Sequence, residues 1–373
     1  MGNAIISSYK DIDTPALLFD EGLAEDNIRS MQRKADELGL KLRPHIKTHR
    51  TVHFAKLQME AGACGIACAK LGEAEVMADA GITDILIANE IIGISKYKRL
   101  RALHDRIHIR VGIDNTVQLA QMNEVFADAE KPLEVEIEYE VGENRSGINT
   151  DEQLIALVNE IKKSQHVVLK GIFSHEGHTY RSNTREDCVK EAKIAHARTV
   201  RAADIIRGMG VDIDTVSIGA TPSVMNMDDF EGVTELRLGT YVFFDAGQAA
   251  AIGDFSHCAA TVLTSVISKP IGNRVVTDSG AKALAAQNRT SGICATKGFG
   301  CVKGRESIKV DDLYDEHAVF NNDDICAMVD VGDKIEIIPS HICPTVNLYD
   351  KAYLVSGGKV LAELPIDCRG KSQ

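Results

Sequence analysis

Leu42-Arg43-Pro44-His45-Ile46-Lys47-Thr48-His49 opens as a short extended run and ends on a lysine and a polar turn. Its reading decides the fold, because seven further strand-like runs follow, at 65–69, 84–88, 107–113, 133–139, 169–174, 215–218 and 235–241. Amphipathic stretches at 72–80, 115–127, 151–163 and 184–209 separate several of them with helical spacing. Several runs are nearly continuous in apolar residues, the pattern of parallel strands buried on both faces. Eight strands, each followed by a helix or loop, fit an α/β chain with a (β/α)8 TIM-type barrel better than a six-stranded open sheet. The helix expected after Tyr241 has no clear pattern.

Outward from the barrel the texture changes. Runs at 261–267, 274–278, 334–338 and 352–355 read as strands, with turn residues such as Gly357-Gly358 between them. The division is therefore a barrel over 20–248 and a β-rich domain formed by 249–373 with 1–19. The early run Thr14–Asp20, ahead of a helix at 21–38, is expected to return to that β domain.

The chain has 373 residues, 44% hydrophobic and 26% charged, which excludes a disordered or fibrous protein. Its net charge of −12 and lack of Trp argue against nucleic acid or an anionic membrane as partner. Nine cysteines, an odd number scattered along a long chain, read as reduced thiols. The N-terminus has no apolar export segment, and Ile6 stands where Met1-Gly2 myristoylation needs Ser or Thr. No apolar run reaches the roughly 18 residues of a membrane span. These features place the chain in the cytoplasm.

Four stretches carry chemistry. Lys47 falls at the C-terminal end of the first strand, the face on which barrel enzymes build their sites. A desolvated lysine there, in positive surroundings, can form a Schiff base, and Arg43, His45 and His49 supply a cationic cluster suited to an anionic cofactor. After the seventh strand, Gly219-Ala220-Thr221-Pro222-Ser223 can aim backbone N–H groups at a phosphate, and Arg237-Leu238-Gly239-Thr240-Tyr241 offers a second set after the eighth. Arg145, past the fifth strand, reads equally as a cofactor contact or a solvated loop residue. The polar stretch 174–180 crowds the same rim. In the β domain, His341 and Cys343 would share a strand face and could hold one metal ion, with zinc favoured by an imidazole–thiolate pair.

In these residues the chain resembles the fold-type III pyridoxal-phosphate enzymes, in the branch of D-serine dehydratase, D-threo-3-hydroxyaspartate dehydratase and D-threonine aldolase. Ordered matches run from Asp13-Thr14-Pro15 through Arg145-Ser-Gly147 and Asp278-Ser-Gly-Ala-Lys282 to His341-Ile-Cys343. The resemblance implies an alanine racemase-like barrel, pyridoxal 5'-phosphate on Lys47, and Arg145 near the cofactor's phenolic oxygen. His45 and Tyr180 belong near the cofactor, and Gly219, Ala220, Thr221, Gly239, Thr240 and Tyr241 around its phosphate. It also implies a homodimer, and a divalent ion at His341 and Cys343, zinc or another such as manganese.

Within the branch, aldolases carry His-x-Asp and a glycine-richer phosphate turn. His341-Ile-Cys343 and Ser217–Ser223 stand closer to the dehydratases, whereas His49 is shared with aldolases as a base. The implied reaction is elimination of water from a β-hydroxy D-amino acid, with Lys47 as the base at Cα. Retro-aldol cleavage with His49 as base, racemisation, and a non-catalytic cofactor carrier are the alternatives.

Overall fold

The computed structural model describes residues 6–373, so the Met1-Gly2 reading and the first five residues of segment 1–19 lie outside the described residues. Eight parallel strands form the barrel: Lys41–Leu42, Ile66–Cys68, Asp84–Glu90, His108–Ile113, Leu133–Glu138, Val167–Phe173, Thr215–Ile218 and Glu235–Leu236. The first pairs with the last, and an isolated parallel bridge between His45 and Ala67 joins it to the second, closing the ring. Ile46 N donates to Ala67 O at 2.9 Å and Ala67 N to Pro44 O at 2.8 Å across that seam. The proline explains the brevity of the strand, since it has no N–H for the ladder.

Helices begin where side chains can take their free amides. Asp20 accepts from Leu23 N at 3.1 Å to start Glu21–Glu37, and Thr184 accepts from Asp187 N at 3.0 Å to start Arg185–Gly208. Ile85, Ile87, Ile109, Val111, Val135 and Ile137 point outward and pack beneath the helices, all fully buried. Each such side chain stabilises the barrel by about 1.5–3 kcal/mol.

The inner face corrects the expectation of strands apolar on both sides. It is charged, following the period-2 alternation of runs such as Leu133–Glu138. Arg43 bonds Glu235 at 2.9 Å and Asp84 at 2.5 Å; His108 bonds Asp84 and Glu134, each at 2.9 Å; Arg110 bonds Glu134 at 2.9 Å and Glu136 at 3.2 Å. This lattice fills the floor of the barrel, so Arg43 is spent on carboxylates and adds no positive field to the rim.

The second sheet has ten strands. Its main path runs Arg305–Lys309, Gly300–Val302, Lys334–Pro339, Ala260–Ser268, Ala16–Asp20, Lys351–Ser356 and Lys359–Pro365. Ala16–Asp20 lies in its middle, Leu18 standing opposite Thr261 on one side and Tyr353 on the other. Gly357 and Gly358, at φ +54° and +79°, make the two-residue turn of the last hairpin. Beyond the eighth barrel strand the chain makes a 3-10 turn, Thr240–Val242, passes Phe244 at φ +53°, and forms the helix Ala246–Ile252. No helix among the described residues is long and apolar enough to cross a membrane.

Candidate active site

The turn after the first strand, with Arg50 N donating to Ile46 O at 2.8 Å, holds the half-buried Lys47 side chain over the barrel rim. Lys47 lines two adjoining cavities. The larger, about 590 Å³, lies between barrel loops and the second sheet and includes Arg289, His341 and Cys343 in its wall. The smaller, about 40 Å³, lies against His45, Gly219, Ala220, Thr221, Arg237, Gly239 and Thr240. Arg145, His175, Tyr180 and Thr240 border both. Burial lowers the Lys47 amine pKa, the Cys343 sulfur opposes this, and the Arg145 and Arg237 charges lower it further.

The small cavity has the form of an anion cradle. The amides of Ala220, Thr221, Gly239 and Thr240 donate no hydrogen bond among the described residues. Both glycines are required by close approach. A Cβ on Gly219 would stand 2.6 Å from Arg237 C, and one on Gly239 2.6 Å from His45 O. The loop is held from behind by Glu176, which accepts from Ser223 Oγ at 2.6 Å and Gly219 N at 3.3 Å. Burial disfavours its charge, but His196, His175 and Ser223 outweigh this and bring Glu176 to about 2.

Two neutral histidines flank this cradle. His175 donates from Nδ1 to Gly219 O at 2.8 Å and is held to about 3 by burial and by the Lys47 and Arg145 charges. His45 is likewise pushed well below the usual histidine range by burial, then by Lys47 and Arg237. The rim's positive charge therefore comes from arginines, which corrects the expected Arg43–His45–His49 cluster. Arg145 reaches Glu138 at 3.3 Å and Glu143 at 3.6 Å. Glu90, pushed up to about 9 by burial and its hydrogen bond to Glu138, backs that pair.

His49 and Tyr241 are not brought to either cavity. His49 is buried against Phe54 and Phe243, its Nε2 sits 3.2 Å from Gln58 Oε1, and its Nδ1 accepts from Thr51 N at 3.1 Å. Both ring nitrogens are engaged, and burial holds the ring to about 3. The Tyr241 hydroxyl accepts from Gln58 Nε2 at 3.0 Å in the same buried cluster.

His341 and Cys343 do meet one cavity, but not as alternate strand residues. The strand ends at Pro339, His341 caps the short helix Ile342–Val346, and Cys343 lies in its first turn. Cys343 Sγ lies 3.3 Å from Thr48 Oγ1 and 3.9 Å from Thr240 Oγ1. His341 Nδ1 is buried without a partner among the described residues. Among the described residues no group of three or more His, Cys, Asp or Glu could hold a metal, so these two stand as a pair. An orphaned imidazole nitrogen beside a thiol suits a zinc-like ion whose remaining positions are open.

Arg237, His175, Glu176 and Arg289 were not among the expected site residues. Arg237 carried a usable signal: two residues after Glu235 in a strand, it must share that inward face. Its buried Nη2 donates to Ser174 O at 2.8 Å, and its Nε has no partner among the described residues. Arg289 comes from a loop of the second domain, and no periodicity marks it.

Residues 20–247 match the family model described as alanine racemase, N-terminal domain, and residues 259–355 the model described as putative serine dehydratase domain. A D-threonine aldolase of Arthrobacter sp. is 33% identical over 97% of this chain and 94% of its own. The D-threo-3-hydroxyaspartate dehydratase of Delftia sp. is 32% identical over 90% of this chain and 92% of its own. The crystal structure of D-threonine aldolase from Filomicrobium marinum superposes with a TM-score of 0.88 at 30% identity, covering 97% of both chains.

Proposed function

The chain belongs to the fold-type III pyridoxal-phosphate enzymes, as a D-amino-acid lyase, and from that premise we propose that it eliminates water from β-hydroxy D-amino acids to give a keto acid and ammonia. The observation that carries this choice is the placement of His49. The histidine that retro-aldol cleavage would use to deprotonate the β-hydroxyl is sealed in the core with both nitrogens engaged, whereas Lys47 and Cys343 share one cavity wall.

The four free amides and two close-packed glycines of the small cavity fit the cofactor phosphate, and Lys47 stands at its edge. Arg145 and Arg237 would hold the ring oxygen and nitrogen side of the group. When bound, pyridoxal phosphate supplies an electron sink for negative charge at Cα. A divalent ion on His341 and Cys343, zinc by donor type, supplies a Lewis acid to the β-hydroxyl. Lys47 would take the α-proton on its amine, whose pKa burial and two arginines lower against the opposing Cys343 sulfur. His175, fixed by Gly219 O and neutral, presents Nε2 to the cavity without adding charge.

Retro-aldol cleavage is the second reading, favoured by the aldolase relatives rather than by the position of any base. The non-catalytic carrier falls, since both domains match lyases throughout their length. The test is a product assay with D-serine, D-threonine and D-threo-3-hydroxyaspartate. Keto acid with ammonia is expected; glycine with an aldehyde as the sole products would overturn the dehydratase reading.

A further inference from the structure

The mouth of the larger cavity is strongly cationic in a chain whose net charge is −12. Lys47, Arg50, Arg145, Arg181 and Arg289 face it, against one carboxylate, Glu143. Part of this charge is already committed to carboxylates. Arg50 is bound to Glu73 at 3.0 Å and Asn347 at 2.7 Å, and Arg145 to Glu138 and Glu143. Arg289 differs, because its guanidinium donates no hydrogen bond among the described residues and its Nη1 is buried. Leaving a buried guanidinium nitrogen unsatisfied is costly, so a cavity wall that keeps one is shaped for an anion.

Arg289 is also held in place. Its guanidinium lies 4.7 Å over the Tyr180 ring. Ile293 N donates to Ser182 O at 2.8 Å, and Cys294 N to Tyr180 O at 3.3 Å, tying its loop to the barrel rim. A Cβ on Gly247 would come within 3.1 Å of Nη1, so that glycine makes room for the guanidinium. Ser340 O lies in the same spot, 3.3 Å from the Gly247 Cβ position, which puts Arg289 next to the residue before His341. Arg289, His341 and Cys343 share the same cavity wall, and the buried Asp245 carboxylate is the leading opposite charge acting on Arg289. Arg289 thus sits beside the His341–Cys343 pair, the end of the cavity that would take the substituents of Cβ.

We propose that Arg289 is a specificity-determining residue that binds a second carboxylate carried on Cβ, so that the preferred substrates are β-hydroxy D-amino dicarboxylic acids. This rests on the lyase reading above. With Lys47 reserved for the cofactor, Arg181 and Arg289 are the cavity cations that form no ion pair among the described residues, the buried Asp245 acting on Arg289 only through space. They match the two carboxylates of such a substrate, whereas D-serine or D-threonine leaves one unused.

The test compares kcat/KM of the loaded wild type, Arg289→Met and Arg289→Lys for D-threo-3-hydroxyaspartate, D-serine and D-threonine, with thermal melts as a folding control. Calorimetric binding of D-malate and D-lactate, unreactive acids with two and one carboxylates, is measured in parallel. Arg289→Met is expected to lose about 10- to 100-fold on the dicarboxylate, mainly in KM, and less than about threefold on D-serine. D-malate should weaken by a similar factor, and Arg289→Lys should recover part of it. Equal losses on all substrates would assign Arg289 to the α-carboxylate and overturn the proposal, as would a wild type that prefers D-serine or D-threonine. If no substrate is turned over, the lyase reading fails, and the D-malate arm alone decides: binding unchanged in Arg289→Met overturns the proposal.

Discussion

Thr48 Oγ1 and Cys343 Sγ lie 3.3 Å apart, joining the residue after the site lysine to the metal-type pair of the second domain. Lys47 and the sulfur are thereby fixed relative to one another across the boundary between barrel and sheet. Burial raises the Cys343 thiol pKa, and the Thr48 hydroxyl and Lys47 charge pull it down. The hydroxyl therefore favours the thiolate that a metal requires.

Thr48→Val removes that donor and nearly preserves volume. Metal affinity should fall about 10-fold, as for loss of a partner behind a ligand. Metal analysis after dialysis at graded chelator concentrations checks this, and visible absorption of the bound cofactor should be unchanged. His341→Ala and Cys343→Ala should lose the metal outright.

Lys47→Ala should abolish the visible band of the lysine-bound cofactor and lower turnover by at least about 10³-fold, since base and attachment point are lost together. Far-ultraviolet dichroism should stay native. A visible spectrum identical to wild type would remove Lys47 from the proposed role.

Gly239→Ala puts a methyl group 2.6 Å from His45 O. Relief requires shifting the cradle, at a cost of about 1–3 kcal/mol. Cofactor affinity should weaken about 10-fold or more, read by titrating the apoprotein with pyridoxal phosphate. Gly208→Ala, at a glycine that likewise has no positive φ and where no atom lies within 4 Å of the added Cβ, controls for the loss of a glycine without a clash.

The barrel floor predicts a pH signature. Hydrogen bonds to Asp84 and Glu134 raise His108 to about 9, so its contribution is complete below about 6.5 and is lost as pH rises through 9. Asp84 and Glu134, both brought to about 2 against burial by these partners, lose theirs only as pH falls toward that value. His108→Gln should therefore lower the melting temperature by a few degrees near pH 6, with the gap closing above pH 9. The half-exposed ring keeps the effect modest. A gap that stays constant from pH 6 to 10 would contradict the assignment.

The barrel was readable because outward residues such as Val135 and Ile137 must be apolar whatever the function, and glycine turns mark strand ends. What the inner face carries was less legible. Arg43 and His45 look alike as cations beside Lys47, yet one is absorbed by Glu235 and Asp84 and the other is neutral through burial; both outcomes depend on strands far apart in sequence. His49 failed as a site residue because the turn after Lys47 directs it toward Phe54 instead of the cavity. The helix Ala246–Ile252 was missed, although Asp245 accepting from Gln248 N at 2.8 Å is a capping signal visible in sequence. Arg289 depends on two loops meeting, which no single-chain pattern records.

The position of Ala16–Asp20 between Ala260–Ser268 and Lys351–Ser356 also governs the order of biosynthesis. The central strand of the second sheet leaves the ribosome before any of the barrel, and both its neighbours emerge after the barrel is complete. It must wait, with both edges open, while more than half the chain is translated. Nascent chains stalled before Ala260 therefore expose a hydrophobic ribbon, Ala-Leu-Leu-Phe, and become clients for chaperones or self-association.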